Sequence, residues 1–158
     1  MARPRYETQS DRDNELRAIP MIESALHGVA RKLPDNHFAD FVVIDATAQV
    51  VAYVEFKCRS FRWGDYPTVM LSVSKFAKLV AARDVRVRSF FVVQDSFGEV
   101  KAVDLHRADL DYRVEYGGRT AKTRDRRDVE PVVHIQTEQF RTIGHVKNRE
   151  VGSGEEDS

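Results

Sequence analysis

Apolar residues recur along the chain at two intervals, and the intervals separate helices from strands. Between residues 11 and 30, Leu16, Ile19, Ile22, Leu26 and Val29 stand three or four apart, the spacing of one buried stripe on a helix. Ser10 and Asp11 can cap its start, and Pro20 predicts a kink or a break into two shorter helices. Leu33-Pro34-Asp35-Asn36 is turn chemistry. Two β-rich runs follow, His37–Asp45 and Val50–Cys58, close enough to predict an antiparallel hairpin with a loop of about four residues. Both faces of each run are largely apolar, so the hairpin should be covered on both sides.

Residues 68–83 place Val69, Met70, Val73, Phe76, Ala77 and Val80 on one helical face, with Lys75 and Lys78 off it. Residues 89–94, SFFVVQ, read as a short apolar strand. Strand, helix, strand in that order predicts a right-handed crossover and parallel pairing of 89–94 with 50–58. DSFGE (95–99) is a turn, Val100–Leu105 a returning strand, and Tyr112–Tyr116 with Val129–Gln136 a further pair joined by a basic loop. The expected fold class is α/β, a mixed central β-sheet with flanking helices plus a C-terminal strand pair. One domain should span 1–147, followed by an acidic tail, 148–158, whose composition predicts disorder.

With 158 residues, 42% hydrophobic and 32% charged, the chain can bury one real core beneath a charged surface. No run approaches the roughly 18 to 20 apolar residues of a membrane span, and the polar start, MARPRYETQSDRDNE, lacks a secretory signal's apolar middle. A cytoplasmic protein without membrane contact is expected. The single cysteine, Cys58, excludes an internal disulfide and a Cys-rich zinc site, and the five histidines show no metal-ligand spacing. No Gly-rich phosphate loop is present, which argues against ATP-driven activity.

Net charge is zero, 25 basic against 25 acidic side chains, which alone counts mildly against nucleic-acid binding. The distribution changes that picture. Residues 57–63 carry three basic and no acidic side chains, 119–128 carry five basic against two acidic, and the last nine residues hold four acidic and no basic ones. Without the tail the body is modestly basic.

The hairpin register brings chemistry together. With a loop at 46–49, Asp45 faces Val50, Val43 faces Ala52, Phe41 faces Val54, and Asp40 faces Glu55. Opposed residues have Cβ atoms roughly 4.5–5.5 Å apart. Alternation then puts Lys57 on the same side as Asp40 and Glu55. Two carboxylates so close repel each other, and a hard divalent cation such as Mg²⁺ would remove the conflict. The Phe56 backbone carbonyl could add a ligand. Lys57 would orient the attacking water or stabilise charge on a phosphate. The bland alternative is a solvated Glu55–Lys57 pair beside an exposed Asp40.

Asp40, fourteen residues, then Glu55-Phe56-Lys57 after an acidic N-terminal helix resembles the PD-(D/E)XK nuclease superfamily. The segments TQSDRDNE, ADFVVID, VEFKCR, YPTVMLSVSKF and RDVEPVVHI resemble its small phage-encoded members over residues 8–143. The resemblance implies a restriction-endonuclease-like core and hydrolysis of DNA phosphodiesters with Mg²⁺ or Mn²⁺. It implies metal ligands at Asp40 and Glu55, a catalytic Lys57, and a further acid from the first helix, Glu15 with Glu23 as fallback. If phage-encoded, the protein would work in the host cytoplasm. Ala39 stands where the superfamily's name has proline. Only two strands read clearly where its α-β-β-β-α-β core has three, so either a short strand lies near His37 or that element differs here.

Residues expected to meet DNA are Lys75 and Lys78 on the second helix, Arg59, Arg62 and Trp63 after the catalytic strand, and Arg119, Lys122, Arg124, Arg126 and Arg127 in the basic loop. Trp63 could equally pack beneath its loop, and the lysines could line a solvated face. The functional expectation is an endonuclease or branched-DNA resolvase, with a non-cutting DNA-binding accessory protein as the alternative. A homodimer would suit symmetric cutting, but no segment announces an interface.

Overall fold

The computed structural model describes residues 9–82, 86–118 and 129–146. The first helix, α1 (Gln9–Leu26), buries Ala18 and Ile22 completely, with Ile19 and Leu26 packed beside them and Glu15 on the same helical line. Leu16, expected in the stripe, is 63% exposed. The helix runs through Pro20 undivided. It ends at Leu26 rather than residue 30, because His27 adopts a left-handed backbone (φ 56°) and turns the chain. Gly28 then passes so near the next strand that a Cβ there would lie 2.7 Å from the Ile44 carbonyl oxygen. Val29, read as the last apolar helix position, instead opens strand β1 (Val29–Lys32).

Strands β2 (Phe41–Ile44) and β3 (Val50–Cys58) form the expected antiparallel hairpin. Phe41 faces Val54 and Val43 faces Ala52 as predicted, but a register shift at Val43/Ile44 brings Ile44, not Asp45, opposite Val50. Asp45 instead ties the turn, its Oδ1 accepting from the Thr47 and Gln49 amides.

Residues 68–83 are not one helix. Strand β4 (Thr68–Ser72) precedes a short α2 (Val73–Ala81). Val69 and Leu71 are buried while Met70 points out, a strand's period of two. Ser72 then caps α2, its hydroxyl accepting from the Lys75 amide at 3.1 Å. Strands β5 (Arg88–Gln94), β6 (Glu99–Asp104), β7 (Tyr112–Gly118) and β8 (Val129–Gln136) match expectation, and a 3-10 turn (Thr137–Gln139) leads to β9 (Arg141–His145).

The main sheet is mixed, ordered β1-β2-β3-β5-β6-β9, and β3 and β5 pair in parallel as predicted. The C-terminal pair β7–β8 is joined by β4 into a second, three-stranded sheet, β4-β8-β7. Two cores result. One lies between α1 and one face of the large sheet, built on Ile22, Phe41, Val54 and Phe56. The other packs Leu71, Leu79, Phe91, Val133 and Ile135 between the opposite face, α2 and the small sheet. A helix, three strands, a helix and a strand (α1, β1, β2, β3, α2, β5) follow in an order compatible with the superfamily core, with β4 inserted before α2. The third strand is Val29–Lys32, not a segment near His37. Among the described residues no helix is long and apolar enough to cross a membrane.

Candidate active site

Strand β3 carries the chemistry because its side chains alternate between the two cores. Val54, Phe56 and Cys58 join the α1 side, leaving Tyr53, Glu55 and Lys57 facing the other way. Glu55 is 1% exposed. A carboxylate is seldom buried without strong compensation. Its Oε2 lies 3.5 Å from Lys57 Nζ, and its Oε1 lies 3.4 Å from Lys75 Nζ on α2. At those separations the ammonium groups act mainly as charges, and Oε1 has no hydrogen-bond partner. Burial pushes the Glu55 carboxyl above its ordinary range and nearby Asp40 pushes it further, while Lys57 and then Lys75 oppose the shift.

Asp40 sits just before β2 and grips β3 on either side of Glu55. Its amide donates to the Val54 carbonyl at 2.9 Å, and its Oδ2 accepts from the Phe56 amide at 2.8 Å. A strand residue's N–H and C=O point to the same side, so the Phe56 carbonyl also turns toward the Asp40 side. Asp40 Oδ1 is 3.7 Å from Lys32 Nζ, and that ammonium is 2.9 Å from Glu15 Oε1. Glu15, 9% exposed, is thus linked to Asp40 through a lysine that the sequence reading passed over. Glu23, the fallback acid, lies elsewhere, its Oε2 accepting from the Ala30 amide at 2.9 Å.

Glu55, Lys57 and Lys75 open onto a cleft of about 340 Å³ whose other lining includes Arg59, Ser72 and Glu130. Arg59 is fixed there by donating from Nη2 to the Met70 carbonyl at 3.1 Å. Burial holds its guanidinium below its ordinary value, with Glu55 and Cys58 countering. Lys75 also donates to the Phe38 carbonyl at 3.2 Å. Lys78 borders a neighbouring open depression with His37 and Phe38.

Arg62 and Trp63 line neither space. Arg62 lies over the Phe97 ring, 4.5 Å from its centroid. Trp63 packs against Phe61 and Phe140, and its indole N–H donates to the Glu99 carbonyl at 2.9 Å. It therefore holds the loop, the alternative the sequence left open. Arg119, Lys122, Arg124, Arg126 and Arg127 lie outside the described residues, as does the acidic tail.

The sequence reading missed Lys32 and Glu130. Glu130 lies within the RDVEPVVHI block, but its place in the cleft depends on β8 pairing with β4, a segment whose spacing predicts helix. Among the described residues, no group of three or more His, Cys, Asp or Glu side chains is placed to hold a metal ion together.

A family model described as "Phage putative PDDEXK endonuclease" matches residues 1–143. The chain belongs to this family. No curated protein matches it. Membership in the PDDEXK endonuclease family supports nuclease activity, with DNA as the corresponding substrate class and divalent metal ions as the usual cofactors. The residues linked through Lys32 and Glu55 include Asp40 and the Glu55-Phe56-Lys57 triplet that carried the resemblance.

Proposed function

We propose that the protein is a metal-dependent DNA endonuclease, with Asp40 and Glu55 as ligands of Mg²⁺ or Mn²⁺, Glu15 and the Phe56 carbonyl in support, and Lys57 as the catalytic lysine. One observation carries the reading: Glu55 is buried at the wall of an open cleft, and its Oε1 makes no hydrogen bond, with only the Lys75 ammonium 3.4 Å away. An ion pair at that separation leaves part of the burial cost of the carboxylate unmet, and a closer cation would offset it. Asp40 beside Glu55 makes a hard anionic pair, a donor set that fits a divalent cation.

A bound cation would neutralise charge on the phosphodiester and polarise it. The chain's own groups supply the rest. Asp40, clamped to the Phe56 amide, holds its other oxygen toward Lys32 and the Glu15 end of the site. Lys57, 44% exposed, can swing from Glu55 toward an incoming phosphate, orient the attacking water, and stabilise charge developing on the phosphoryl oxygens. Lys75 and Arg59 supply further positive charge along the cleft, where the DNA backbone would be held in register.

The second reading, DNA binding without cutting, has one observation in its favour: lysines already neutralise Glu15, Asp40 and Glu55. Incubation of plasmid and branched DNA with Mg²⁺, Mn²⁺ or EDTA separates the two. Metal-dependent cleavage lost in Lys57→Ala is the expected result. Binding that ignores metal, with no cleavage, leaves the accessory reading, and preferential cutting of the branched substrate identifies a resolvase.

A further inference from the structure

We propose that β7 is the contact strand of a twofold dimer of this chain, pairing antiparallel with β7 of a second copy. β8 occupies one edge of β7, and no strand among the described residues pairs with the other. Residues 112–116, Tyr-Arg-Val-Glu-Tyr, are all exposed, with Tyr112 at 45%, Val114 at 56% and Tyr116 at 79%. Those three side chains share one face, because strand side chains alternate. They extend the apolar surface that β8 buries, with Tyr112 beside Ile135 and Val114 beside Val133. Tyr112 also rests on Phe76 of α2, ring centroids 5.0 Å apart. An open, apolar strand edge presents unpaired amides and carbonyls that template another strand.

The order of residues selects the occupant. Antiparallel pairing centred on Val114 sets Val114 against Val114, Arg113 against Glu115, and Tyr112 against Tyr116. Two Arg–Glu pairs and two aromatic pairs form at once, so the strand is complementary to itself under a twofold axis. Centring the axis on Arg113 instead would oppose like charges. Within one chain Arg113 Nε already donates to Glu115, and His134 Nε2 lies 3.8 Å from the other oxygen of that carboxylate. These charges occupy the face opposite the aromatics, so dimerisation shares them between copies without displacing the apolar contact. Glu115 disfavours a phosphate backbone on this edge, and residues 112–116 carry no net charge. The assignment does not depend on the nuclease reading.

Sedimentation of the full chain up to roughly 100 µM, where a micromolar interface is well populated, provides the test. The wild type should dimerise. Arg113→Glu and Glu115→Arg should each weaken the dimer about tenfold or more by opposing like charges, and the double reversal should restore it. Val114→Lys, which places two ammonium groups at the centre, should be monomeric, and thermal melts should show every variant folded. A monomeric wild type overturns the proposal, whether β7 amides exchange fast, as for a bare edge, or slowly, as for one covered by another part of the chain. A dimer indifferent to either single reversal, or not recovered by the double, overturns it as well.

Discussion

Replacing Glu55 by glutamine tests the central claim about this site, because it removes a charge while keeping shape. Two ammonium groups at 3.4 and 3.5 Å attract the carboxylate, each by about 5 kcal/mol at an effective dielectric of about 20. Lys57 is 44% and Lys75 29% exposed, so solvent screens both well below that figure. Against them stand a burial cost of several kcal/mol and repulsion from Asp40. The carboxyl is pushed upward, so burial and Asp40 win. The folded protein then holds the Glu55 proton more tightly than the unfolded chain. Its contribution to stability is complete below the ordinary glutamate value of 4.5 and is lost as pH rises through the raised folded value. Near neutral pH in EDTA, Glu55→Gln should therefore be more stable by about 1–2 kcal/mol. For a domain of this size that is about 2–8 °C in Tm. The gap should close as pH approaches 4.5. Excess Mg²⁺ should reverse the order, since a ligand at a hundredfold its Kd stabilises the wild type by about 2.7 kcal/mol and leaves the variant nearly unchanged. Thermal melts across pH, with and without metal, measure all of this. A variant that melts below wild type in EDTA at neutral pH, or a gap that ignores pH, would show that the lysines outweigh burial and Asp40 at this carboxylate.

Lys57→Ala should keep the wild-type melting temperature within a few degrees and lose about 100-fold or more in cleavage rate, measured on plasmid DNA at saturating Mg²⁺. Lys32→Met removes the ammonium between Glu15 and Asp40, so Mn²⁺ should bind about three- to tenfold more tightly by titration calorimetry. Weaker binding would show that Lys32 does not compete with the ion. Trp63→Ala should cost about 3 kcal/mol in urea denaturation, because the ring packs on Phe61 and Phe140. The salt dependence of DNA binding should not change in that variant, since Trp63 does not line the cleft.

Strand β3 was legible because an apolar run interrupted by Glu55 and Lys57 has few other physical explanations, and the loop length set its pairing with β2. The parallel β3–β5 pairing followed from chain direction alone. Residues 68–83 misled because two periods meet there. Val69 and Leu71 alternate, while Val73, Phe76 and Val80 follow a helix, and the Ser72 cap is the sole local marker of the change. Lys32 was invisible for a different reason. Its position depends on a reversal at His27, which signals a left-handed turn far less clearly than glycine would, and Val29 continues the helical spacing by coincidence. The packing of Trp63 rests on partners 32 and 36 residues away in sequence, Asp95 and Glu99, which no local pattern reveals.

Because β3 is hydrogen-bonded along both edges and pressed between two cores, the backbone beneath Glu55 can shift only when the whole domain opens. Two of the countercharges stand on looser ground, Lys32 on the outermost strand of the large sheet and Lys75 on a nine-residue helix. The molecule thus separates a stationary anionic anvil from cations on swivelling arms. An arriving ion or phosphate can push those arms aside while the oxygens it seeks stay where they are.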